Sequence, residues 1–139
     1  MHTLLEAVRA GATDSSIEGV EVVTRAALSA TVVDVLAADG YLLGTPANLG
    51  YMSGALKHFF DTVYYPCLDE TVGRPYGVWI HGNDDTAGAV KAVEVITRGL
   101  RWKAAQPPLA LTGTPDRAAT DACWELGAAT AAGLAEGIS

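Results

Sequence analysis

The sequence predicts an α/β fold in which helices cover both faces of a parallel sheet. Three observations carry that expectation. Short apolar runs alternate with longer amphipathic ones along the whole chain. Two of the short runs, Tyr41-Leu42-Leu43 and Tyr76-Gly77-Val78-Trp79-Ile80, are apolar without a break, the pattern of strands buried on both faces. No linker, repeat or low-complexity tract interrupts the 139 residues. The alternation therefore belongs to a single domain over residues 1–139, with right-handed crossovers between parallel strands.

Each element has a local reason. Residues 3–9 place Leu4, Leu5 and Val8 on one helical face, and Gly11 is the expected C-terminal stop. Ile17, Val20 and Val22 mark a short strand. A helix over residues 32–38 takes Thr31 or Asp34 at its start. The strand Tyr41-Leu42-Leu43 ends at Gly44-Thr45-Pro46. Ser53 caps the next helix, on which Leu56, Phe60 and Val63 recur at spacings of four and three, and Pro66 ends it. The strand from Tyr76 to Ile80 runs into the loop His81-Gly82-Asn83-Asp84-Asp85. Asp85 or Thr86 then starts a helix bearing Val90, Val93, Ile96 and Leu100. Leu109-Ala110-Leu111 is the last strand, closed by Gly113. An Ala-rich helix runs from Asp116 or Thr120 to Leu134. That tally is uneven, five helices to four strands, because the first helix has no strand before it.

Composition narrows the function. Half the residues are hydrophobic and 18% are charged, enough apolar material for a core and too much for disorder. Nine basic against 16 acidic residues give a net charge of −7, which argues against nucleic acid as a partner. No apolar run approaches the roughly 20 residues that span a bilayer, and the early acid in Met1-His2-Thr3-Leu4-Leu5-Glu6 does not suit a secretory signal. The expectation is a soluble cytoplasmic protein without a membrane partner. Cys67 and Cys123 have neither metal-ligand nor disulfide-framework spacing and read as unreactive packing residues. Trp79 reads as core, whereas Trp102 and Trp124 suit burial or a subunit contact equally, so a homo-oligomer stays open.

Several familiar sites are missing. There is no G-x-G-x-x-G after a strand and no G-x-x-x-x-G-K-[ST]. Gly50-Tyr51-Met52-Ser53-Gly54 misses G-x-S-x-G by one place. The three histidines form no close pair, so no catalytic metal and no catalytic acid–base residue is expected. What remains is the run over residues 44–61: Gly44-Thr45-Pro46-Ala47-Asn48-Leu49-Gly50-Tyr51-Met52-Ser53-Gly54-Ala55-Leu56-Lys57-His58-Phe59-Phe60-Asp61. Gly50 permits close approach of backbone to a ligand, and Pro46 fixes the exit from the strand.

This run resembles the flavin loop and following helix of the flavodoxin-like NAD(P)H-dependent FMN reductases and quinone reductases. Weaker similarity continues through His81-Gly82 to the final helix. The resemblance implies a doubly wound parallel sheet of order 2-1-3-4-5, with ligand at the C-terminal strand ends near the switch point. It implies that FMN accepts hydride from NAD(P)H as co-substrate and passes electrons to a small-molecule acceptor such as a quinone or free flavin. By the same resemblance, Thr45, Pro46, Asn48, Leu49, Gly50, Tyr51 and Met52 hold the ring, with His81 and Gly82 on its other side. Many members carry an aromatic at the place of Asn48.

The sequence departs from that family at its front. Members begin with a strand, the central one of the sheet, and a Ser/Thr-rich loop around the FMN phosphate. This chain opens at what resembles the last two residues of that loop, His2-Thr3, then enters a helix. The expectation is therefore a sheet lacking its first, central strand, with His2 and Thr3 as residual phosphate contacts beside a helix N-terminus. Of three explanations, an upstream start fits the intact remainder better than a strand from a partner or a decayed remnant. A flavin-free scaffold or interaction protein on the same fold is the alternative reading. A phosphoacceptor receiver domain is disfavoured, because Gly44-Thr45 stands where it needs an Asp.

Overall fold

A computed structural model describes residues 1–137. The first helix, α1 (His2–Ala12), continues through Gly11, which is no stop. A Cβ at Gly11 would lie 1.9 Å from the backbone oxygen of Trp124, so glycine is there to let another helix approach. The strand expected around Val20 and Val22 does not form. Residues 18–25 make no backbone–backbone hydrogen bond among the described residues, having no neighbouring strand to pair with. Helix α2 (Val32–Ala37) follows, one turn and a half made possible by a complete capping box. Thr31 accepts from the Asp34 amide, and the Asp34 carboxylate accepts from the Thr31 amide at 2.9 Å. The Arg74 guanidinium then takes up the loose end, donating to the carbonyls of Val35, Leu36 and Ala38 and to the Tyr41 hydroxyl.

Strand β1 (Tyr41–Asn48) runs well past the predicted stop at residues 44–46. It turns back into β2 (Tyr51–Met52), so the segment expected as a loop is a hairpin. Ser53 caps α3 (Gly54–Cys67) by accepting from the Leu56 amide at 3.1 Å. Pro66 lies inside its last turn and does not end it, because the break comes one residue later. Then come β3 (Pro75–Gly82), α4 (Ala87–Gly99), β4 (Lys103–Ala104), β5 (Leu109–Thr112) and α5 (Arg117–Ala135), the last capped by Asp116.

β3 is parallel to β1 on one side. On the other side it pairs in parallel first with β4 at Pro75 and Tyr76, then with β5 from Trp79 to Gly82. β4 and β5 are thus two halves of one interrupted strand. All six residues from Pro75 to Ile80 are buried, as a central parallel strand requires. The larger core lies between the sheet and α2, α3 and α4, around Phe60, Val63, Ile80, Val93 and Trp102. The smaller one lies on the opposite face, where Leu4, Val8, Trp79, Cys123 and Leu126 join α1 and α5 to the sheet. Among the described residues, no helix is long and apolar enough to cross a membrane.

Candidate functional site

Three connections meet at the C-terminal ends of the parallel strands: the β1–β2 hairpin, the loop after β3 and the loop after β5. The hairpin turns on Leu49 and Gly50, at φ 49° and 74°. Positive φ at both central residues is what a type I′ turn demands, and it matches the right-handed twist of the strands. Glycine adopts that geometry freely. Leucine does not, at a cost of roughly 1–2 kcal/mol. Leu49 is nevertheless the tip, and its side chain is completely exposed at 106%. No hydrogen bond reaches the Leu49 or Gly50 amide among the described residues.

The hairpin is fixed from below and from the side. Thr45 is fully buried, and its hydroxyl donates to the Pro46 carbonyl while accepting from the Ser53 amide, both at 2.8 Å. Met52 is 2% exposed and belongs to the larger core. A Cβ on Gly88, in the first turn of α4, would lie 2.0 Å from the Gly50 carbonyl oxygen, so the turn sits flush against that helix. The loop after β3 closes in at Gly82, where a Cβ would come within 3.0 Å of Ala47 Cβ. His81 Nε2 donates to the Gly113 carbonyl, and the Gly113 amide donates to the Gly82 carbonyl, tying the loops after β3 and β5 together.

The predicted site residues therefore fall into groups. Asn48, Leu49, Gly50 and Tyr51 are exposed on the hairpin, and Pro46 is half-buried beside them. Thr45 and Met52 support it from the interior and can offer a ligand only backbone. His81 and Gly82 lie in the adjoining register, with Pro46 paired to His81 across the sheet. His2 and Thr3 are exposed in the first turn of α1, whose N-cap Met1 makes no side-chain capping bond. Sequence reasoning missed Gly88 and Gly113. The spacing of glycines carries no trace of which backbone each one lets in.

The charges around the hairpin are acidic or paired. Asp84 and Asp85 are exposed in the loop after β3, where Asp85 accepts from the Ala87 amide. A hydrogen bond from Lys57 to Asp61, 2.6 Å long, holds the ammonium above its ordinary pKa. Among the described residues, no cluster of His, Cys, Asp and Glu could hold a metal ion.

No family model matches the chain. A flavodoxin from Aquifex aeolicus (strain VF5) is 39% identical over 75 residues, half of this chain, and the match spans only 40% of that protein's length. Solved structures align over nearly all of it. A flavodoxin from the domain Archaea superposes at TM-score 0.81 with 15% identity, covering 97% of this chain and 90% of its own. A WrbA-like flavodoxin from Agrobacterium tumefaciens gives 0.74 with 17% identity over 99% and 90%. Megasphaera elsdenii flavodoxin gives 0.70 with 23% identity over 94% and 86%. The fold is thus that of the flavodoxin-like proteins, an α/β domain on a parallel sheet.

Proposed function

We propose that this chain is an FMN-binding redox protein whose hairpin over residues 45–52 seats the isoalloxazine ring. The observation that carries the reading is the turn itself. A strained, wholly exposed leucine and two unbonded amides stand at the C-terminal end of a parallel sheet, where α/β folds bind ligands. The donor set fits the group, since a flavin rim presents carbonyl oxygens and ring nitrogens that accept from backbone N–H. Similarity to flavodoxins supports the same reading.

FMN, when bound, supplies reversible storage of one or two electrons. The protein's part is to hold and shield it. Leu49 and Tyr51 offer apolar surface to a flat ring, and Asn48 offers an amide in place of an aromatic. Gly50 and Gly82 keep side chains out of the way, while the bond from His81 to Gly113 fixes the opposite loop. The N-terminus of α1, with Thr3 and His2, supplies donors and positive potential for a phosphate. In the finer reading, NAD(P)H donates hydride and a small quinone or free flavin accepts the electrons.

Fluorescence titration tests the first part. Saturable quenching of FMN is expected, with Gly50→Val weakening it at least about tenfold, since a β-branched residue at positive φ disrupts the turn. Titrating riboflavin in parallel isolates the phosphate, whose contribution should fall with Thr3→Ala. Bleaching of the bound flavin by NADH or NADPH without oxygen then tests the reductase reading. Absence of saturable quenching overturns the proposal and leaves the flavin-free interaction protein.

A further inference from the structure

Gly88 stands in the first turn of α4 with no local need for glycine. Its φ is not positive, so any L-residue suits the backbone there. Alanine in its place would favour the helix. What glycine admits is another segment, because a Cβ would lie 2.0 Å from the Gly50 carbonyl oxygen and 2.9 Å from the carbonyl carbon. Gly11 and Gly127 admit main-chain oxygens as closely, at 1.9 and 2.0 Å, and there the result is the packing of α1 on α5 beside the smaller core. The approach at Gly88 brings no such burial. Leu49 is wholly exposed and Tyr51 is 41% exposed, so the turn that leans on α4 leaves its own side chains in solvent.

The hairpin depends on that support. Its ladder has two residue pairs, Ala47 with Met52 and Asn48 with Tyr51. A two-stranded ribbon so short does not hold itself together, and Leu49 adds strain at φ 49°. Thr45 and Met52 secure the base. Above them the hairpin rests on the entry to α4 at two points. Gly50 meets Gly88, and Ala47 lies over Gly82, where a Cβ would also crowd Thr86 Cγ2 at 3.2 Å.

We propose that Gly88 is the positioning residue of the hairpin site: its missing side chain sets how close the turn at Leu49 and Gly50 sits to α4, and hence where the flavin ring is held. The inference rests on the reading that this hairpin seats the ring. A methyl group at position 88 has no rotamer to change, and the atom it meets belongs to the main chain. The turn has to withdraw by about 1 Å to restore ordinary contact. Groups that hold a ligand must be placed within about 0.5 Å, so the ring feels that shift. The phosphate, held by α1, does not.

The test compares Gly88→Ala with Gly54→Ala. Gly54 also lies in the first turn of a helix beside the hairpin, and a Cβ there meets nothing within 4 Å. Affinities for FMN and for riboflavin should fall together in Gly88→Ala, each by about tenfold or more, and stay native in Gly54→Ala. The circular dichroism of the flavin at saturation should change as well, which a mere loss of stability would not produce. Without flavin, amide exchange over residues 47–52 should quicken in Gly88→Ala alone. Native affinity and dichroism in Gly88→Ala overturn the proposal. So does weakened FMN binding with riboflavin binding intact, which assigns the residue to the phosphate, and so does a collapse of the urea midpoint, which makes it part of the core. Where the native chain quenches no FMN, the flavin reading fails and exchange still decides. Equal exchange in the two variants overturns the role of Gly88, and faster exchange in Gly88→Ala alone upholds its hold on the turn.

Discussion

Leu49 and Thr45 sit four residues apart and do opposite things for stability. Leu49 holds a left-handed conformation while burying nothing, so replacement by asparagine, which tolerates that region, should remove most of the strain. Leu49→Asn is expected to raise stability by about 0.5–1 kcal/mol in urea unfolding while weakening FMN quenching. A loss of stability would mean that the turn is not strained. Thr45→Val keeps the shape and removes the acceptor of the Ser53 amide, leaving that donor unpaired in a part-buried position. The expected cost is about 1–3 kcal/mol by the same measurement. The residues of the hairpin were legible in the sequence as one candidate run. Their division into exposed rim and buried support was not, because the chain reads through β1 as a strand only once β2 exists to pair with Asn48.

At the scale of elements, helix and strand types were legible wherever a segment buries one continuous face, and failed where another segment decides. Ser53 and Asp116 cap as their positions suggest, since an N-cap needs only its own next turn. Gly11 misled, because helix α1 continues through it for the sake of α5. The segment of Ile17, Val20 and Val22 misled for the complementary reason, since a strand with no neighbour has no ladder to join. The crossing of α1 and α5 makes a testable case. A Cβ at Gly127 would lie 2.0 Å from the Val8 carbonyl oxygen. Alanine is the better helix former by about 1 kcal/mol. Overpacking against backbone costs about 1–3 kcal/mol or more, and a 2.0 Å approach to a main-chain atom cannot be relieved by a rotamer change. Gly127→Ala should therefore destabilise on balance, read as a lower urea midpoint at unchanged slope. A gain in midpoint would show that propensity wins and that the helices separate freely.

Across the whole molecule, the sheet divides the interior into unequal halves, and each half contains one cysteine. Cys67 lies in the larger core and Cys123 in the smaller, both fully buried. Burial pushes both thiol pKa values up. In the unfolded chain the thiols ionise near their ordinary value of about 8.5. Between that value and the raised native ones, the unfolded state binds fewer protons than the native state, so stability falls as pH rises. Below that window the contribution is fully present and constant. The two thiols also report on the two layers separately. α1 and α5 are held to the sheet by a small cluster that includes Trp79, whose indole N–H is buried without a hydrogen-bond acceptor among the described residues. Local opening follows the weaker contacts. In sub-denaturing urea at pH 8, pulse alkylation followed by mass spectrometry should label Cys123 before Cys67. Simultaneous labelling would mean that the layers open as one unit, and earlier labelling of Cys67 would place the weak layer on the other face of the sheet.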